Sequence, residues 1–122
     1  MRTHSIEING KEYEFRLTSE DCIKIEEKTK VKLLDYLQDY AFTTVINLLY
    51  YMRKGVQQNF SKDDAYKLFD ELADQDWAIE DIMKKIIFPT AQVSGLLTKS
   101  DLNKVLDRMN NPEDQATQKS EA

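Results

Sequence analysis

Few residues in this chain have types suited to chemistry. It holds one histidine, His4, and one cysteine, Cys22. A zinc site of the usual kind draws several ligands from these two types, so the pair supplies too few. His4 falls at the outer end of an alternating strand pattern and reads as a surface or half-buried side chain. Cys22 falls on the apolar side of an expected helix with no histidine partner, and reads as a small buried hydrophobe. The acidic stretch from Asp70 to Asp81 invites comparison with a calcium loop. With Asp70 at the first loop position, Leu72 takes the third, Gln75 the sixth and Asp81 the twelfth. An EF-hand needs an oxygen ligand, a glycine and a long glutamate at those places, so the stretch reads instead as a helix end and the next helix's cap. Gly10, Gly55 and Gly95 are the only glycines. They form no GxxxxGK[ST], GxGxxG or GxSxG pattern, and each has a turn or cap reading. The expectation is a protein that is not an enzyme and uses no cofactor or metal.

Charge narrows the partners. The 122 residues carry a net charge of −5. Phosphate backbones reward clustered Lys and Arg, and anionic membranes reward polybasic segments, so neither is the expected partner. Lys24, Lys28, Lys30 and Lys32 form a basic cluster, but Glu20, Asp21, Glu26 and Glu27 interleave with it as on a solvated helix face. A single cysteine permits no internal disulfide and suits a reducing cytoplasm. The opening Met1-Arg2-Thr3-His4 has no apolar core of a secretory signal. No apolar run reaches the roughly 18–20 residues of a membrane span.

What remains is apolar and aromatic surface. Tyr36, Tyr40, Tyr50, Tyr51, Trp77, Phe88, Leu96 and Leu97 exceed what single inward stripes require. Either a small bundle buries most of them, or they form a protein-binding patch or a contact between copies in a homo-oligomer. They are the candidate protein-binding residues.

The elements that would position them follow from hydrophobic period and caps. Ser5 to Phe15 alternates around Asn9-Gly10, which predicts a hairpin (about 4–17) with a two-residue type I′ turn. That turn pairs Ile8 with Lys11, Ile6 with Tyr13 and His4 with Phe15. Thr18 starts a helix carrying Cys22, Ile25 and Thr29. A short helix follows over about Leu33 to Tyr40. Thr43 or Thr44 caps a third helix with Val45, Leu48, Leu49 and Met52 inward, followed by Gly55 as a C′ residue; few of its residues are polar, so it should be central. Ser61 with Asp64 starts a fourth, with Ala65, Leu68, Phe69 and Leu72 inward. Asp74-Gln75-Asp76 closes it and caps a fifth carrying Ile79, Ile82, Met83 and Ile86, which Pro89 should end or kink. Ser100 caps a last helix. The fold class is mainly α: a bundle of about five to six helices with an N-terminal β-hairpin, one domain over 1–109, and a disordered tail over 110–122. The expected core centres on Tyr13, Phe15, Leu17, Ile25, Leu48, Leu49, Phe69 and Ile82.

The run Ile6-Glu7-Ile8-Asn9-Gly10-Lys11-Glu12-Tyr13-Glu14-Phe15-Arg16-Leu17 resembles the opening strand–turn–strand of tail assembly chaperones from siphophages and prophages of Gram-positive hosts. Asp21 to Lys28 looks like that family's first helix, and Leu34-Asp35-Tyr36-Leu37 like its next segment. Asp63 to Leu72, the acidic break and Val93-Ser94-Gly95-Leu96 extend the resemblance over about residues 5–97. Two features depart from it: Thr29-Lys30-Val31-Lys32 stands where such proteins often carry a glycine, and Pro89 interrupts the last strong helix. The resemblance implies a factor of the host cytoplasm, absent from the mature virion. It would coat and solubilise the tape measure protein, bring tail tube subunits to it, and in many members work beside a frameshifted longer form of itself. A small helical adaptor or regulator from a mobile element, binding one folded partner, is the alternative.

Overall fold

The computed structural model describes residues 2–110. The expected disordered tail lies outside them, except that Asn110 still belongs to the last helix. Strands β1 (His4–Ile8) and β2 (Lys11–Phe15) form the expected antiparallel hairpin in the expected register. Asn9 (φ 53°) and Gly10 (φ 78°) both take the positive φ that the I′ turn demands. Ile8, Phe15 and Leu17 are buried, and Ile6 and Tyr13 pack at their margin. A lone hairpin is marginal in water, and this one lies on helices.

Helix α1 (Ser19–Thr29) starts at Thr18, whose hydroxyl accepts the Asp21 N–H at 3.2 Å. It ends on Lys30, which has φ 60° and donates its N–H to Glu26 O at 2.9 Å. An L-residue side chain is strained there and glycine is not. The lysine therefore occupies a conformation that favours glycine. Lys30→Gly is expected to raise stability by about 0.5–1 kcal/mol. Relief of the left-handed side chain, about 1–2 kcal/mol, exceeds glycine's extra freedom in the unfolded chain. A urea midpoint at or below wild type would contradict this.

Helix α2 is shorter than expected, Leu33–Tyr36, with its first turn capped by the Glu26 carboxylate at 2.8 Å from Leu33 N. Helix α3 (Phe42–Lys54) starts before either threonine expected to cap it. Asp39 organises that end instead, accepting from Ala41 N at 3.1 Å and from the Thr44 hydroxyl at 2.9 Å. The helix is central, as expected: Val45, Leu48, Leu49 and Met52 are fully buried, and β2, α4 and the helices that follow pack around it. Helix α4 (Lys62–Asp74) has a reciprocal Ser61–Asp64 capping box. It ends in a Schellman motif, with Asp76 at φ 66° and Trp77 N bonded to Leu72 O at 3.0 Å. Asp76 therefore terminates α4 without capping the next helix. Asp81 does that, accepting the Ala78 N–H at 2.8 Å.

Pro89 neither ends nor breaks the fifth helix. Helix α5 (Ile79–Ile82) runs through a π turn (Met83–Ile87) into α6 (Phe88–Val93) without interruption. Proline lacks the N–H that would serve the carbonyl four residues back, and its ring crowds that carbonyl. The wider π turn lies directly before it and absorbs the crowding. The carbonyl in question, Lys85 O, accepts a hydrogen bond from His4 Nε2 at 2.7 Å. His4, expected as a surface or half-buried side chain, therefore fastens β1 to the proline turn. Gly95 (φ 88°) closes α6 with a second Schellman motif, Leu96 N bonding Ala91 O at 2.9 Å. Helix α7 (Lys99–Asn110) is capped by Thr98 with Asp101, not by Ser100.

Three contacts lock the hairpin to α3. Arg16 N donates to Met52 O at 2.9 Å. Arg53 donates to Glu14 O at 2.8 Å while its guanidinium lies over the rings of Tyr13, Phe15 and Phe60. Burial draws the Arg53 pKa below its ordinary value. Gly55 has an ordinary helical φ of −63°, not the left-handed one of a C′ glycine. It is glycine because a Cβ there would collide with the Arg16 carbonyl.

Candidate protein-binding surface

The eight candidate residues do not form one patch. Phe88 and Tyr36 are 1% and 7% exposed, so neither is available to a partner. Ile86, Ile87 and Phe88 are three consecutive buried residues. A regular helix does not turn three neighbours inward, but the extra residue of the π turn shifts the register and does so here. Tyr36 points its hydroxyl inward, where it accepts from Asn47 Nδ2 at 3.2 Å. Tyr40 and Tyr51 are half-buried, and burial first raises the pKa of both phenols. Tyr51 stacks edge-on with Tyr50 at 5.0 Å. Trp77 and Leu96 follow the left-handed residues of the two Schellman motifs and pack on the core, with Lys85 over the Trp77 ring at 4.9 Å. Leu97 joins Leu34 and Val105 in a groove of about 240 Å³ between α2 and α7.

Another apolar surface is better formed. Phe42, at the first turn of α3, is 63% exposed, and Tyr66 on α4 is 48% exposed. Phe42 meets Phe69 edge-on at 5.7 Å, while Tyr50, two turns further along α3, meets Lys62 at the start of α4. The two helices are therefore antiparallel, and each lends a row to one face. Phe42, Ile46 and Tyr50 stand at i, i+4 and i+8 on α3, and Tyr66 and Phe69 at i and i+3 on α4, spacings that stack side chains along one helix side. Ile46, Tyr50 and Phe69 bury only part of their surface against the core. An aromatic strip about 12 Å long follows from the rise between Phe42 and Tyr50.

The strip has unequal ends. At the Tyr50 end, Lys54 and Lys62 lie over the Tyr50 ring at 5.7 Å and 5.2 Å. The Lys62 ammonium donates to Asn47 Oδ1. Burial first, and then the neighbouring Lys28 ammonium, lowers the Lys62 pKa. Among the described residues, Lys24 pairs with Glu20 at 3.2 Å, while Lys28, Lys54 and Lys62 have no ion-pair partner. The far end lies beside the last turns of α4, which carry exposed Asp70 and Asp74.

Sequence reasoning found Tyr50 and missed the rest. The expected cap at Thr43 or Thr44 leaves Phe42 ahead of the helix, the stripe of the fourth helix puts Phe69 inward, and neither Ile46 nor Tyr66 stands out in the sequence. The 42-46-50 spacing was the available signal. Among the described residues no group of three or more His, Cys, Asp or Glu side chains is placed to hold a metal, and no helix is long and apolar enough to cross a membrane. No family model, curated protein or solved structure matches the chain.

Proposed function

We propose that this protein is a tail assembly chaperone: it holds apolar helical stretches of a tape measure protein in the host cytoplasm, keeps them soluble, and brings tail tube subunits to them. The observation that carries this reading is the exposed aromatic strip on α3 and α4, taken with the resemblance of residues 5–97. A tape measure chain exposes long apolar helical faces before assembly, and an amphipathic helix is recognised by laying such a face on an apolar strip. The net charge of −5 keeps the complex soluble while that strip is occupied.

The test is a pull-down of the tagged protein from induced cells that carry its gene, with mass spectrometry and a count of copies per bait. Recovery of a very long helical protein with several copies of this chain on it supports the chaperone reading. A longer product with the same N-terminus would add the frameshifted form. Recovery of one folded regulator at equal stoichiometry would favour the adaptor instead.

A further inference from the structure

We infer that the α3–α4 strip binds an amphipathic helix in one direction, with that helix's acidic C-terminal turn against Lys54 and Lys62 and its N-terminal turn over Phe42 and Phe69. This rests on the strip being the partner-binding surface proposed above, and adds what the partner must look like.

The argument is electrostatic. Lys54 and Lys62 bracket the Tyr50 ring without an ion-pair partner among the described residues, and Lys28 stands close to Lys62. Lys62 is the first residue of α4, whose positive N-terminus is offset by the C-terminus of antiparallel α3 at Lys54; its ammonium bonds the neutral Asn47 Oδ1 and has no ion-pair partner among the described residues. A ligand carboxylate at this end would face three cations, Lys28, Lys54 and Lys62, at once. A helix C-terminus brings about half a negative charge and unpaired carbonyls to the same place. At the opposite end the α3 N-terminus and the α4 C-terminus offset each other, and the exposed Asp70 and Asp74 favour a helix N-terminus or basic residues. A helix so placed runs in the direction of α3. Its footprint from Phe42 to Lys54 is about 18 Å, roughly three turns, with apolar residues every third or fourth position toward the strip.

The test uses two synthetic stapled helical peptides of about 16 residues and identical composition. Both have a leucine stripe. One carries two glutamates in its last turn and two lysines in its first; the other has these exchanged. The staple holds both equally helical. Fluorescence anisotropy against the full-length protein is expected to show the first binding about tenfold tighter or more, the effect of a charge-assisted pair. The gap should close in Lys54→Gln/Lys62→Gln and in about 1 M salt, while Phe42→Ser weakens both peptides alike. Lys28→Gln with Lys54→Gln serves if the Lys62 variant does not fold. Equal binding, a gap that survives the lysine variants, or no binding by either peptide overturns the inference. So does a free protein that sediments as a dimer and becomes a monomer on Phe42→Ser, since a second copy then covers the strip. The peptides carry no tail sequence, so these outcomes leave the pull-down to judge the chaperone reading separately.

Discussion

Leu49→Asp will abolish cooperative folding: circular dichroism will show reduced helix at 20–25 °C (about room temperature, where stability is near its maximum) and no sigmoidal urea transition. Leu49 is fully buried at the middle of α3, the helix on which the hairpin, α4 and the proline turn all pack. Truncating a buried leucine costs about 2–5 kcal/mol in lost transfer energy and cavity. An unpaired carboxylate adds several kcal/mol of desolvation, or protonates at a cost set by its raised pKa. Together these consume most of the roughly 5–15 kcal/mol that holds a small domain. The matched control is Phe42→Asp on the same helix. Its side chain is largely exposed, so the change should stay within about 0.5–1 kcal/mol while removing the edge contact to Phe69. A Leu49→Asp protein that melts like wild type would sink the placement of α3 at the centre.

Gly55→Ala is the second large effect, and its sign opposes the usual one. The glycine has helical φ, and alanine in a helical conformation normally stabilises by about 0.5–1 kcal/mol. Here the added methyl would enter the space of the Arg16 carbonyl. The strand cannot retreat freely, because Arg16 N bonds Met52 O and Arg53 bonds Glu14 O on either side of the contact. The expected loss is about 2–3 kcal/mol, from overpacking and one weakened hydrogen bond. Faster amide exchange in β2 should accompany it. A neutral or stabilised Gly55→Ala variant would show that the hairpin yields easily and that the junction is loose.

The hairpin, its register and the inward stripes of α3 and α4 were legible in the sequence because each depends on local period and turn chemistry. The Thr18 and Ser61 caps were legible for the same reason. What escaped depends on distance. Gly55 looks like a helix-ending glycine until Arg16 arrives 39 residues from the other side of the chain, the separation also spanned by Arg53 and Glu14. Pro89 looks like a helix end because nothing local announces that a π turn will absorb it. The same turn buried Phe88, which a regular helical register does not foresee. The candidate surface was half legible: the excess of aromatic residues was real, but which side of each helix stayed open depended on where α3 met α4.

The first strands are held by the last third of the chain: His4 by Lys85, and Leu17 N by the Ser94 hydroxyl at 3.1 Å, across 77 residues. On the ribosome these contacts have a schedule. At about 5–20 residues per second, the interval between making Leu17 and making Ser94 is roughly 4–15 s. Once α3 is made it meets β2, but until the π turn and α6 follow, β1 lacks the elements that pack on it, and closure of the core waits for a non-local contact. Synthesis rate over residues 55–94 therefore sets how long each nascent copy stays exposed to aggregation, and slowing it there lowers yield without altering the stability of the finished protein.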